Sequence, residues 1–232
     1  MQIFYTPDIA IKPELPEEEA GHCIRVLRLG EGDEIVLTDG QGSFYKAAIS
    51  RAHPKHCEVT LLESWKQPDL WNFNLHIAID PTKNMDRMEW FVEKATEIGI
   101  NAITCLNCRF SERKEIKPIR LEKILVSAMK QSQKATLPAL EGMTDFKKFV
   151  ATPFDGRKFI AHCEEGEKPL LKHTYQPGEN ALILIGPEGD FSPEEIKLAQ
   201  ENGFEPISLG ESRLRTETAA LVACHTIHVL NQ

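Results

Sequence analysis

The sequence predicts an α/β protein with a smaller all-β module in front: a β-barrel over residues 1–70, then an α/β sheet over residues 71–232. Three observations carry this. Short runs rich in Val, Ile, Thr and aromatic residues crowd the first part, strands alternate with helices in the second, and KQPDLWNFN (66–74) separates the two patterns. With 232 residues and 41% hydrophobic side chains, each part can bury a core.

In the first part, QIFY (2–5), DEIVLTDG (33–40), SFYKAAIS (43–50) and CEVTLLES (57–64) read as strands divided by turns such as DGQG (39–42). One helix, PEEEAGHCIRVLRL (16–29), interrupts them. Several short strands in so few residues suggest closure into a barrel. In the second part, LHIAID (75–80) is a strand. Met85, Met88, Phe91 or Val92, Ala95 and Ile98 then recur at helical spacing up to Gly99. AITCL (102–106) is a strand, and Leu121, Ile124, Leu125 and Ala128 stripe the next helix. KFIAHC (158–163), ALILIG (181–186) and PISLG (206–210) are further short strands. Ser192, Pro193 and Glu195 form a capping box that opens a helix between the last two. The helix at 216–230 is apolar on nearly every side, which requires burial in the core or against another subunit. Alternation of this kind implies a largely parallel sheet.

Several function classes are disfavoured. No apolar run approaches the ~18–20 residues of a membrane span. The opening MQIFYTPDIA has no signal-peptide pattern, so a cytoplasmic location is expected. Six cysteines are too few for a disulfide scaffold. Cys105-Leu-Asn-Cys108 is a lone C-x-x-C, and His225 and His228 favour packing over ligation, so no metal is expected. G-x-G-x-x-G, G-x-x-x-x-G-K-[ST] and G-x-S-x-G are absent from the expected places. The net charge of −8 argues mildly against nucleic acid. Residues 109–134, however, carry eight basic against three acidic side chains. Such a patch permits RNA binding and equally describes a solvated face.

Open parallel sheets bind ligands at the carboxyl ends of their strands. Two loops there are unusual. Gly186-Pro187-Glu188-Gly189-Asp190-Phe191 allows close backbone approach and leads into a capped helix N-terminus. Leu209-Gly210-Glu211-Ser212-Arg213-Leu214-Arg215-Thr216 places two arginines before a helix N-terminus, against the macrodipole. Anion binding would account for them, as would an Arg215–Glu217 ion pair.

At these loops, ILIGPEGDFSPEEI (183–196) and LGESRLRTETAAL (209–221) closely resemble the end of the bacterial 16S rRNA uridine-N3 methyltransferases of the RsmE type, within the SPOUT class. KNMDRMEWFVEKATEIGINAI (83–103), SAMKQSQKATLP (127–138) and HCIRVLRLGEGDEIVLTDGQGSFYKAAI (22–49) extend the resemblance over nearly the whole chain, the last matching the family's PUA-like barrel. It implies a C-terminal trefoil knot, a homodimer, 16S rRNA or the small ribosomal subunit as partner, and S-adenosylmethionine as methyl donor. By position, Ile185, Gly186, Pro187, Glu188 and Gly189 form one pocket loop, and Leu209, Gly210, Leu214, Arg215 and Thr216 another; His162-Cys163-Glu164 lead into a third. Two departures stand out. Asp190 replaces a second glycine, and Ser212-Arg213 replaces an arginine followed by an apolar residue.

Uridine N3–H is a weak acid that must lose its proton as it attacks a methyl group. Arg215 is the expected stabiliser of the resulting negative charge and Glu188 the expected proton acceptor. Arg25 and Arg28, at i,i+3 on the predicted helix, and Arg109 and Arg113 in the basic segment are expected RNA contacts. Methylation of a different RNA atom, a non-catalytic RNA-binding module and a nucleotide- or sugar-phosphate enzyme remain open alternatives.

Overall fold

The structure, a computed structural model, describes residues 2–232. It divides into two compact units: the chain up to Asp69 with Val126–Leu137, and Leu70–Leu125 with Pro138–Gln232.

In the first unit, β1 (Ile3–Tyr5), β2 (Glu34–Thr38), β3 (Ser43–Arg51) and β4 (Glu58–Lys66) form one sheet in that order. β1 runs parallel to β2, and the other pairs are antiparallel. Phe4, Leu37, Ile49 and Val59 are buried between the strands with Cys23 and Cys57. The expected helix over 16–29 is shorter. α1 (Glu17–Gly21) runs into a π-helical turn at His22–Val26, and Arg28 beyond it is left-handed with φ +59°. Arg25 and Arg28 therefore do not share a helix face.

Residues 126–137, expected with the second part, belong to this unit. Ala135 is buried with Ile3 and Phe44. Its carbonyl accepts from the Gly42 amide (2.9 Å) and the Thr38 hydroxyl (3.1 Å), and its amide donates to Gln67 Oε1 (2.7 Å). These bonds join positions far apart in the chain, so no local periodicity announces them.

The second unit holds β5 (Leu75–Ile79), α2 (Met85–Ile98), β6 (Ala102–Asn107), the first turns of α3 (Pro118–Gln131), β7 (Ala139–Asp145), α4 (Phe146–Val150) and β8 (Arg157–Ala161). It continues with α5 (Leu171–Thr174), β9 (Ala181–Ile185), α6 (Pro193–Glu201), β10 (Glu205–Ile207) and α7 (Thr216–Leu230). Its sheet has the order β10-β8-β9-β5-β6-β7, with every pair parallel. All five residues of β9 are buried, as a central parallel strand requires. The sequence did not announce β7, an edge strand whose residues are all exposed or half-buried, nor the short α4 and α5. The strand expected over 206–210 is displaced: β10 ends at Ile207, and Ser208 bridges to Leu170 instead.

Because the sheet is wholly parallel, the loops leaving β5, β8, β9 and β10 emerge along one rim. The predicted cap of α6 is present: Glu195 N donates to Ser192 Oγ and Ser192 N to Glu195 Oε2. Among the described residues no helix is long and apolar enough to cross a membrane.

Candidate active site

The loops after β8, β9 and β10 enclose a cavity of about 710 Å³. It takes in all the expected cofactor-contacting positions: His162, Ile185, Gly186, Gly189, Leu209, Gly210, Leu214 and Thr216. Glu188 and Arg215 also line it.

The β9 loop is tied down at each point. A Cβ on Gly186 would meet the Phe191 ring at 3.0 and 3.1 Å and the Phe191 nitrogen at 3.2 Å, so a side chain here forces a shift. The Gly186 carbonyl accepts from the buried Thr216 hydroxyl at 3.1 Å, joining this loop to the start of α7. Asp190 has φ +69°, in the left-handed region. Glycine adopts that conformation most readily; Asp tolerates it, and here the side chain adds bonds. Its carboxylate accepts from the Cys163 amide at 2.7 Å and its own neighbour's amide, Phe191, at 2.8 Å. The Asp190 charge is thus satisfied by backbone N–H groups, and it locks the β8 loop to the β9 loop.

The β10 loop differs. Gly210 is at φ +129°, and its amide donates to Ser208 Oγ at 3.2 Å. Among the described residues, the side chains of Glu211, Ser212, Arg213 and Arg215 form no hydrogen bond or ion pair, and all four residues are exposed. The Arg215–Glu217 ion pair does not form. Glu217 is buried and faces Arg87 of α2 at 3.8 Å. Arg215 therefore brings an uncompensated positive charge to the cavity.

Both ring nitrogens of His162 are buried without a hydrogen-bond partner. Burial, followed by the nearby Lys168 charge, lowers its pKa and keeps the ring neutral. An orphaned neutral imidazole on a cavity wall can donate or accept toward a bound molecule. Glu188 Oε1 accepts from the Lys83 amide at 2.9 Å, which fixes one carboxylate oxygen.

Arg87, Lys83 and Asp80 were not singled out from the sequence. Asp80 ends the LHIAID strand and is fully buried. Burial, with a smaller contribution from the Glu188 charge, pushes its pKa up to about 6 against opposing bonds from Ser111 and Cys108. An acidic residue closing a buried strand was the available signal. The C-x-x-C thiols are buried as well, and burial pushes Cys105 up to about 12 and Cys108 higher still, so neither is poised to react.

The expected RNA contacts separate into two kinds. Arg25 and Arg28 are exposed and, among the described residues, unpaired with Glu17–Glu19. Arg109 pairs with Glu194 at 3.2 Å, and its amide donates to Glu195 at 2.8 Å. Arg113 donates to the carbonyls of Lys83 (2.6 Å) and Thr82 (3.3 Å).

The chain thus combines a wholly parallel sheet, whose terminal loops wall a cavity, with a small β unit. The family model described as an RNA methyltransferase domain matches residues 69–228, and the one described as an RNA methyltransferase PUA domain matches residues 15–62. A crystal structure of a probable rRNA-methyltransferase from Porphyromonas gingivalis is 46% identical, with a TM-score of 0.94, covering 100% of this chain and 98% of that one. The ribosomal RNA small subunit methyltransferase E of Neisseria gonorrhoeae, solved bound to S-adenosyl methionine, is 25% identical with a TM-score of 0.86, covering 99% and 98%. The protein of that name from Rickettsia conorii is 28% identical over 222 residues, 94% of this chain and 90% of the relative. The chain belongs to the RNA methyltransferase family that includes ribosomal RNA small subunit methyltransferase E.

Proposed function

We propose that this protein methylates N3 of a uridine in 16S rRNA, with S-adenosylmethionine as donor. The carrying observation is the cavity itself: backbone loops from three neighbouring strands, an orphaned neutral His162, and two guanidinium groups unpaired among the described residues, Arg213 and Arg215. The donor bears a sulfonium and a carboxylate, so a wall of backbone donors and acceptors suits it better than fixed charge. Ile185, Gly186, Gly189, Leu209, Gly210, Leu214, Thr216 and His162 would hold it. When bound, it supplies an electrophilic methyl group.

The chain's own residues do the rest. Arg215 faces the negative charge that gathers on the uracil oxygens as N3 loses its proton, an electrostatic contribution that is often the largest in such sites. Glu188, with Oε1 held by the Lys83 amide, takes the proton on its other oxygen. The tied β9 loop keeps these groups in one geometry, which favours an aligned attack. Arg25, Arg28 and Arg109 meet RNA phosphates without reading bases.

We also read residues 183–220 as a trefoil knot. After β10 the chain passes hydrogen-bonded beside Pro169–Leu171 (Ser208 N to Pro169 O and Leu171 N to Ser208 O, both 2.9 Å) before α7 returns across the sheet. Stretching the protein by its ends should leave the contour short of full extension. We read the protein as a homodimer joined through α7. Its buried residues are Thr216, Glu217, Ala220, Ala223, Cys224 and Ile227, while Leu221 and Val222 are half-buried and Val229 is exposed. Light scattering at micromolar concentration should give twice the chain mass. The division of labour is PUA-like RNA binding by the first unit and chemistry by the second, in the cytoplasm where ribosomal RNA is processed.

The deciding experiment is incubation of purified protein and labelled donor with 16S rRNA or small subunits, followed by nucleoside analysis. 3-Methyluridine is expected. Label on a ribose or another base would establish the alternative chemistry.

A further inference from the structure

Glu188 is fixed from outside the three pocket loops. The Lys83 amide that donates to it lies in the turn between β5 and α2. The carbonyl of that same peptide group is Thr82 O, and it accepts from Arg113 Nε at 3.3 Å, while Arg113 Nη2 donates to the next carbonyl, Lys83 O, at 2.6 Å. One peptide group therefore stands between a guanidinium on its oxygen and a carboxylate on its N–H. Hydrogen bonds in such a chain polarise one another, so the cation on one side strengthens the bond to the anion on the other.

The turn is anchored a second time by the segment that carries Arg113. Ser111 Oγ donates to the Asp80 carboxylate, and the Cys108 amide donates to Ser111 Oγ at 2.7 Å. Asp80 and Thr82 are fully buried, and Thr82 Oγ1 donates to Asn84 O at 2.7 Å. The guanidinium, a planar fork with fixed donor directions, matches two successive carbonyls in a way that an ammonium cannot.

We infer that Arg113 is a positioning residue for Glu188, acting through the Thr82–Lys83 peptide rather than by touching RNA. This rests on the reading of Glu188 as proton acceptor for its effect on turnover, but not for its effect on the peptide.

The test compares the full-length parent with Arg113→Ala, Arg113→Lys and Glu188→Gln, and with the double variant Arg113→Ala/Glu188→Gln. Hydrogen exchange at the Lys83 amide should quicken about tenfold or more in Arg113→Ala and less in Arg113→Lys. Turnover at saturating RNA should fall about tenfold in Arg113→Ala, with partial rescue by Lys. RNA affinity and its salt dependence should stay at the parent level. In the Glu188→Gln background, Arg113→Ala should add no further loss. Unchanged Lys83 exchange in Arg113→Ala overturns the inference. So does weaker RNA binding with a salt slope lower by about one, the mark of a lost phosphate contact. If Glu188→Gln turns over at the parent rate, the proton-acceptor role fails, and Lys83 exchange alone then decides whether Arg113 holds the peptide.

Discussion

The two loops that contribute most to the cavity are built in opposite ways. In Gly186–Phe191, the Asp190 carboxylate takes two amides, the Glu188 carboxylate takes a third, and the Gly186 carbonyl takes the Thr216 hydroxyl. In Leu209–Arg215, the polar side chains from Glu211 onward are exposed and without partners among the described residues. Tying the first loop fixes the shape of a pocket for a compact donor molecule. Leaving the second loop's cations unpaired keeps their charge available to a partner that arrives from solvent. Had Arg215 paired with Glu217, it would have had to break that pair to act. Glu217 faces Arg87 instead, which frees Arg215.

Four measurements test this contrast. Arg215→Ala should reduce turnover by about 10²–10³, with donor affinity by calorimetry changed less than about threefold. A larger loss of donor affinity than of turnover would move Arg215 to the wall of the pocket. Asp80 gives the next effect, because its amide donates to Ile185 O at 3.0 Å, just ahead of the tied loop. Its carboxyl sits at about 6 in the folded protein, above its ordinary 3.8. The native state therefore holds the proton more tightly than the unfolded chain, and stability falls as pH rises through that window. The fall should be about 2 kcal/mol between pH 4 and pH 7. Denaturant titrations of Asp80→Asn should lack this component; an identical pH dependence in the variant would refute it.

Asp190 offers a smaller and more discriminating effect. Asp190→Ala loses the Cys163 bond and keeps the left-handed backbone, at about 1–2 kcal/mol or more. Asp190→Gly loses the same bond but adopts that backbone freely, so it should melt above Asp190→Ala and bind donor more tightly. If Gly is no better than Ala, the φ value does not explain the residue. Arg213→Ala should have the smallest effect, a few-fold weaker RNA binding with the salt slope reduced by about one and donor binding intact. An unchanged slope would mean that the free cation beside the pocket meets no phosphate.

Much of the site was legible from residues alone. The Gly-Pro-Glu-Gly loop, the capping box at Ser192 and the arginines before α7 stand out because strand ends, helix starts and glycines carry local signals. The structure gathers these loops into one cavity, since all six strands are parallel and their ends share a rim. What was not legible depends on contacts between distant positions. The pairing of Glu217 with Arg87, the Asp190–Cys163 tie and the hold of Arg113 on Thr82–Lys83 join positions whose separation the local pattern does not encode. The placing of Arg25 and Arg28 on one helix face failed because the π-helical turn ends at Val26 and Arg28 turns left-handed.

Residue order alone sets which segments are strands or helices wherever an apolar period is strong, as in β5, β9 and α2, because side-chain burial at fixed spacing is a property of the chain. It also marks the loops after β9 and β10 that line the cavity. Folding, by contrast, places residues 126–137 in the first unit, sets β7 at the sheet edge, and pairs Glu217 with Arg87 so that Arg215 is left without a partner among the described residues. Those outcomes follow from which hydrogen-bonding groups and charges meet after folding, and sequence spacing does not fix such meetings.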